Sequence, residues 1–244
     1  METSLHRDLK ELYASKKARI EVPVEGYRID VVDRNRLIEI QHGSLAAIRD
    51  KVGKLLKSHS VLVVKPIVVR KKLVKLASKG GKVIGQRMSP KRGTTIDLFG
   101  ELVYFTKVFP HRKLSIEVPL VDIEELRYPG HGRRRRRRIN DHQVEDQRLL
   151  KVYGTYRLRT AGDLVDLVSC PLPTPFHTGN LAESLNVDRW IAQRIAYCLR
   201  KMGAICQVGK RGNALLYEFP ISVARRAKRW QNSSAKPLKP LLSA

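Results

Sequence analysis

The stretch Tyr27-Arg-Ile-Asp-Val-Val-Asp-Arg-Asn-Arg-Leu-Ile-Glu-Ile-Gln41 decides how this chain folds. Two apolar-alternating runs flank Asp33-Arg-Asn-Arg36, which predicts a β-hairpin turning at Arg34-Asn35. In that register, residue pairs whose numbers sum to 69 face each other. Ile29 then meets Ile40 and Val31 meets Ile38 on one apolar face, with Asp30 opposite Glu39 and Arg28 opposite Gln41 on the other. A slip by one residue would mix the faces, so the register is strongly specified.

Upstream, Leu5, Leu9, Leu12 and Tyr13 recur at helical spacing, and Ile20, Val22 and Val24 alternate as a strand ended by Glu25-Gly26. Downstream, Ser44 is placed to cap a helix whose buried stripe is Leu45, Ile48, Val52, Leu55 and Leu56. Val61-Leu-Val-Val64 reads as a buried strand, parallel to the second hairpin strand by a right-handed crossover. The order is helix, three-strand meander, helix, strand: an α/β domain with a mixed sheet and helices on its faces. Glu101–Thr106 and Leu114–Val118 read as further strands, and Arg70–Arg92, with Gly80-Gly81 and Ser89-Pro90, as loops suited to a phosphate backbone.

Two carboxylates directly opposed on neighbouring strands repel each other. A basic side chain, a shared proton or a divalent cation relieves that repulsion. Mg²⁺ is held through one or two carboxylates together with waters and phosphate oxygens, and such an ion serves phosphodiester cleavage.

Asp30, nine residues on Glu39-Ile40-Gln41, then a helix and a buried strand, resembles the core of the PD-(D/E)xK nuclease superfamily, the restriction-endonuclease-like fold, over about residues 1–70. The resemblance implies a metal-dependent deoxyribonuclease. Asp30 and Glu39 would be ligands of Mg²⁺ (or Mn²⁺), the Ile40 carbonyl a further ligand, and Glu2 the acid of the first helix, with Glu11 the weaker candidate. Gln41 stands where the family usually has Lys, as it does in some Glu-x-Gln members. Lys51, Lys54 and Lys65 are the candidates to supply the missing charge, and His42 lies at the strand end.

Charge sets the partner. The 244 residues carry 48 Lys+Arg against 23 Asp+Glu, a net charge of +25, and no acid occurs between Lys51 and Ile96 among thirteen basic residues. Such a surplus repels itself unless a polyanion is near, so nucleic acid is the expected partner, double-stranded DNA first. No run of about 18 apolar residues marks a membrane span, and no secretory signal is expected. Three cysteines without C-x-x-C spacing argue against a disulfide scaffold or a cysteine zinc site and fit a cytoplasmic, nucleoid-associated protein.

The C-terminal half resembles a winged helix-turn-helix. Thr160-Ala-Gly-Asp163 opens one helix, Thr178–Leu185 forms a second, and Trp190–Met202 a third that ends at Gly203. Ile205–Val208 and Leu215–Phe219 then form a hairpin. The resemblance assigns DNA contacts to Arg189, Gln193, Arg194 and Arg200 on the reading helix and to Lys210 and Arg211 on the wing. The expected division is a nuclease-like domain over 1–127, an Arg-rich linker over 128–148 holding Arg133–Arg138, a winged-helix domain over 149–221 and a basic tail over 222–244. Two rival functions are a catalytically inactive, nuclease-fold DNA-binding or regulatory protein and an RNA-associated basic protein.

Overall fold

A computed structural model of the chain describes residues 2–130, 141–168 and 170–223. The Arg133–Arg138 run and nearly all of the basic tail lie outside the described residues. The chain opens with helix α1 (Ser4–Tyr13) and the meander β1 (Arg19–Val24), β2 (Tyr27–Asp33) and β3 (Arg36–Ile40). Glu25 and Gly26 both take positive φ (48° and 78°), the left-handed pair that a tight hairpin turn needs. Ser44 caps a single 3₁₀ turn that runs into α2 (Arg49–Leu55), and β4 (Ser60–Val64) follows, parallel to β3.

Next to the turn the hairpin register is as expected, with Val31 paired with Ile38, Val32 with Leu37 and Asp33 with Arg36. The ladder ends there, and the expected pairs Ile29–Ile40, Asp30–Glu39 and Arg28–Gln41 are not part of it. The expected faces are only half right. Val31, Ile38 and Ile40 pack under α1 with Leu5 and Leu9, whereas Ile29 packs on the opposite face with Val32 and Leu37. The alternation breaks at Asp30. Across from it on β1, between the pairs Ile20–Val31 and Val22–Ile29, Glu21 takes a left-handed φ of 57°. The Asp30 carboxylate itself accepts the Ile40 N–H at 2.7 Å, a side chain standing in for a ladder bond.

The sheet continues through β5 (Ile67–Leu76), β6 (Val83–Met88), β7 (Leu114–Pro129) and β8 (His142–Leu158), in the order β1-β2-β3-β4-β7-β5-β6, with β8 also on β7. Because β8 follows one edge of β7 from Ile116 to Pro129, β4 and β5 share the other edge, end to end, separated by Lys65-Pro66. Residues 70–92 are therefore mostly two antiparallel strands turning at Gly80 rather than loops: β5 lies between β7 and β6, and β6 is the exposed edge. Residues 101–106, expected as a strand, continue α3 (Leu98–Leu102) through a 3₁₀ turn. Leu98, Phe99, Leu102 and Phe105 are fully buried at helical spacing, and that packing overrides the β-propensity of Val103 and Tyr104. Leu12 and Ile20, expected in the core, are half exposed on α1 and on the edge strand β1.

Helices α4 (Ala161–Val168), α5 (Thr178–Leu185) and α6 (Arg189–Lys201) precede the hairpin of β9 (Cys206–Arg211) and β10 (Ala214–Glu218). They share one apolar core with the sheet face that carries α2 and α3, and Cys198 Sγ on α6 sits 3.6 Å from the Phe99 carbonyl of α3. The boundary expected at 149 falls inside β8, whose pairing with β7 draws residues 142–158 into the large sheet. The whole is a mixed α/β structure, a large sheet flanked by helices, and among the described residues no helix is long and apolar enough to cross a membrane.

Candidate active site

Where β2 and β3 part, the Asp30 carboxylate is held from two sides. Its Oδ2 accepts the Ile40 N–H, and its Oδ1 is 3.2 Å from His6 Nε2 on α1. Burial pushes the Asp30 pKa up, but the His6 and Ile40 hydrogen bonds and the nearby Lys51 charge outweigh it, so the carboxyl ends below its usual range. Glu39, almost fully buried on β3, moves the other way: burial raises its pKa, the neighbouring Asp30 charge adds to this, and Lys51 only partly opposes. Lys51 Nζ, reaching from α2, lies 2.7 Å from Glu39 Oε1 and donates to the Arg28 carbonyl at 2.6 Å.

Of the three ways to relieve opposed carboxylates, the fold thus uses a basic side chain, Lys51. Gln41 does not reach the pair. Its Nε2 donates to the Ser44 carbonyl at 2.6 Å, and its N–H continues the pairing to Val64. Lys54 turns instead toward the Tyr27 ring, and Lys65 toward the His42 and Gly43 carbonyls.

A cleft of about 440 Å³ opens beside His6, the partner of Asp30. It is lined by Glu2, Thr3, His6, Glu21, Arg28 and His42, and Asp30, Glu39 and Lys51 are not among its lining residues. Glu2 is 3.9 Å from His6 and is bound at 2.5 Å by Lys10, which holds Glu21 at the same distance. The Lys10 hydrogen bond lowers the Glu2 pKa, so this acid faces the cleft ionised and paired with Lys10. Glu11 is exposed on α1 and does not line the cleft. His42 is kept neutral by burial and by the nearby Lys65 and Lys71 charges, which lower its pKa.

Sequence reading missed His6, Lys10 and Glu21. The first two had a signal, since His6 and Lys10 fall four residues apart on one face of α1, four and eight residues after Glu2. Glu21 had none, because its place depends on a left-handed backbone.

The fit to a divalent ion can be judged from the donors. Among the described residues no group of three or more His, Cys, Asp and Glu side chains gathers at ligand spacing, so an ion here would rest on Asp30, Glu39, the Ile40 carbonyl and solvent. That set suits Mg²⁺, which keeps several waters. The buried Glu39 Oε1 also lacks a hydrogen bond of good angle, its contact with Lys51 being an ion pair only.

Arg189, Gln193, Arg194 and Arg200 on α6, and Lys210 and Arg211 at the β9 end of its hairpin, are all exposed. The structure adds two aromatic rings to the α6 surface, Trp190 and Tyr197, with the Arg194 guanidinium 4.9 Å from the Trp190 ring. Arg194 also borders Gly100 of α3, which ties this basic surface to the body carrying the cleft.

Residues 3–159 match the family described as a domain of unknown function, DUF8091, and the chain belongs to that family. The match ends one residue past β8, so the family unit is the sheet with α1–α3 and stops before α4. An uncharacterized protein of Treponema pallidum (strain Nichols) is 29% identical over 245 residues, covering 99% of this chain and 95% of its own length, and so spans the helical module too. No solved structure matches the chain.

Proposed function

We propose that the protein is a Mg²⁺-dependent nuclease (Mn²⁺ serving equally) of the restriction-endonuclease-like type, with α4–α6 and their hairpin acting as a winged helix-turn-helix that holds double-stranded DNA. One observation carries the reading. The positive charge missing at Gln41 returns from α2 as Lys51, beside Glu39 and close enough to lower the Asp30 pKa. An acid at the strand split, an acid on the next strand and a lysine make up the PD-(D/E)xK set, with the lysine moved to another element.

In this reading Asp30 and Glu39 hold the ion, with the Ile40 carbonyl beside them. When bound, Mg²⁺ supplies an activated water and a Lewis acid for the phosphoryl oxygen. His6 fixes the orientation of Asp30 through its 3.2 Å contact. Lys51 places an ammonium where negative charge grows on the phosphate, the kind of preset charge that dominates many rate enhancements. The exposed basic residues of α6 and its hairpin hold duplex backbone and base edges.

Nicking of supercoiled plasmid with Mg²⁺ or Mn²⁺, wild type against Asp30→Ala, tests the assignment. The variant is expected to lose about 10²–10³-fold in rate, the scale for removing one electrostatic participant. Equal activity rejects the site. A second reading, duplex binding without hydrolysis, is favoured by the absence of a three-ligand group among the described residues and by Lys51 already neutralising Glu39. Under that reading the wild type retains duplex and cuts nothing with either ion.

A further inference from the structure

Along the outer edge of the β4–β5 line, β3 ends at Ile40 and β6 ends at Met88, and the strand edge between them is left open. A second cleft of about 460 Å³ lies in this gap. Its floor is Lys65–Val68 with Leu98 of α3, and its wall is the segment after β6, tied back by Ser89 N–H to the Lys71 carbonyl (2.8 Å) and Gly93 N–H to the Val68 carbonyl (3.1 Å). That second approach requires glycine, since a Cβ on residue 93 would stand 2.3 Å from the Val68 oxygen.

Four cations converge on this cleft, Lys65, Lys71, Lys91 and Arg127, against two acids, Asp97 and Glu101. Both acids are engaged elsewhere, Asp97 with the Thr94 N–H and Glu101 with the Leu45 N–H, each at 2.8 Å. Lys65, more than nine-tenths buried, donates to the His42 and Gly43 carbonyls, which orient its ammonium without cancelling the charge, and Glu101 is 4.0 Å away. Lys71 and Arg127 share one buried carboxylate, Glu125, which leaves a net positive charge from the trio. Lys91 is exposed at the mouth. A net positive charge in a polar cleft, four cations against Asp97, Glu101 and Glu125, calls for an anion with several oxygens. The volume accommodates a nucleotide unit and excludes a duplex. The His42-Gly43 turn joins this cleft to the one beside His6.

We propose that this cleft is a subsite for the phosphate of a nucleotide in single-stranded nucleic acid, lying alongside the Asp30 centre. The inference rests on the nucleic-acid part of the proposed function and is independent of hydrolysis.

Fluorescence anisotropy of the full chain in EDTA, with a labelled tetrathymidylate as probe, tests it. Lys71→Gln/Lys91→Gln is expected to weaken binding about tenfold and to flatten the log–log salt slope by about 0.7, the contribution of the one single-strand phosphate held here. Binding of a 20-base-pair duplex, about as tight as before, is the control. Lys71 helps hold Glu125, so Lys91→Gln alone provides a variant that leaves the buried trio intact, with the slope flattened in the same direction by at most about 0.7. An unchanged slope in both variants, or an equal loss on the duplex, overturns the proposal. Displacement of the probe by thymidine 5′-monophosphate at micromolar concentration supports the phosphate site with a free nucleotide as its source, and displacement by oligothymidylate alone supports a strand. Because no metal is present, failure here leaves plasmid nicking untouched, and failure of nicking leaves this result standing.

Discussion

The two clefts on either side of the Gln41–Gly43 turn are built from opposite materials. Around Asp30, acids from the start of the chain, β1, β2 and β3 meet cations from α1, β2 and α2 and are matched almost one to one, with Lys10 binding both Glu2 and Glu21 and Arg28 also reaching Glu21. Beside Lys65 the cations outnumber the acids, and the acids spend themselves on backbone N–H groups. A matched site holds its carboxylates in defined places at little cost in mutual repulsion. An unmatched site keeps electrostatic free energy in reserve for a ligand that brings its own negative charge. The two lysines at the border show the contrast most directly: Lys51 faces a carboxylate, Lys65 faces carbonyls.

The largest effect should come from breaking the matched side at Lys51. Lys51→Met is expected to lower metal-dependent nicking about 10²–10³-fold, or roughly 3–4 kcal/mol of transition-state stabilisation. The second substitution Gln41→Lys, which restores the spacing usual in the nuclease family, is expected to recover part of that loss. Rescue separates a role for the ammonium from a role in folding, since a merely structural Lys51 gives no reason for a lysine on β3 to help. No recovery, with the double variant folded by circular dichroism, would remove Lys51 from the proposed chemistry.

Local pattern made the first cleft partly readable in the sequence and left the second unread. The hairpin register next to the turn followed from alternation alone, as did the Ser44 cap, the α2 stripe and the burial of β4. Asp30 and Glu39 were legible as candidates because they fall near the facing ends of the two hairpin strands, whereas Lys51 was one of three lysines, with Lys54 and Lys65, among which the sequence did not choose. The switch of Ile29 to the opposite face was not legible, because it depends on Glu21 adopting a left-handed backbone on a neighbouring strand. The second cleft draws on residues 65, 71, 91 and 127, which come together only because β4 and β5 share one edge of β7. Reading 70–92 as loops and 101–106 as a strand hid that geometry. The shared core with α4–α6 was hidden for the same reason: reading 101–106 as a strand took the end of α3 and the turn after it into a sheet.

On the unmatched side, Lys65→Met tests how much the carbonyl contacts hold the turn. The variant frees a buried cation of its desolvation cost but strands the His42 and Gly43 carbonyls, and a buried acceptor left without its donor costs about 1–3 kcal/mol. Net destabilisation at the low end of that range is expected from urea melts, with the m-value unchanged. A gain in stability would mean that burying this charge costs more than its hydrogen bonds return.

The smallest effect, and the sharpest test of the matched side, is Glu39→Gln. Burial together with the Asp30 charge raises the Glu39 pKa above the ordinary glutamate value of 4.5, so the folded state binds this proton more tightly than the unfolded chain does. Above both values the ionised carboxylate therefore destabilises the fold, and below the unfolded value the penalty is gone because both states are protonated. Glutamine keeps an oxygen for Lys51 and carries no charge to desolvate. The variant is expected to melt about 2–4 °C higher at pH 7.5, the shift that about 1 kcal/mol produces in a chain of this size, with the gain fading as pH falls from the raised folded value toward 4.5 and gone below it. A lower melting temperature at pH 7.5 would show that the Lys51–Glu39 ion pair returns more than burial takes, and that this acid is part of the scaffold rather than a group held at a cost for a cation.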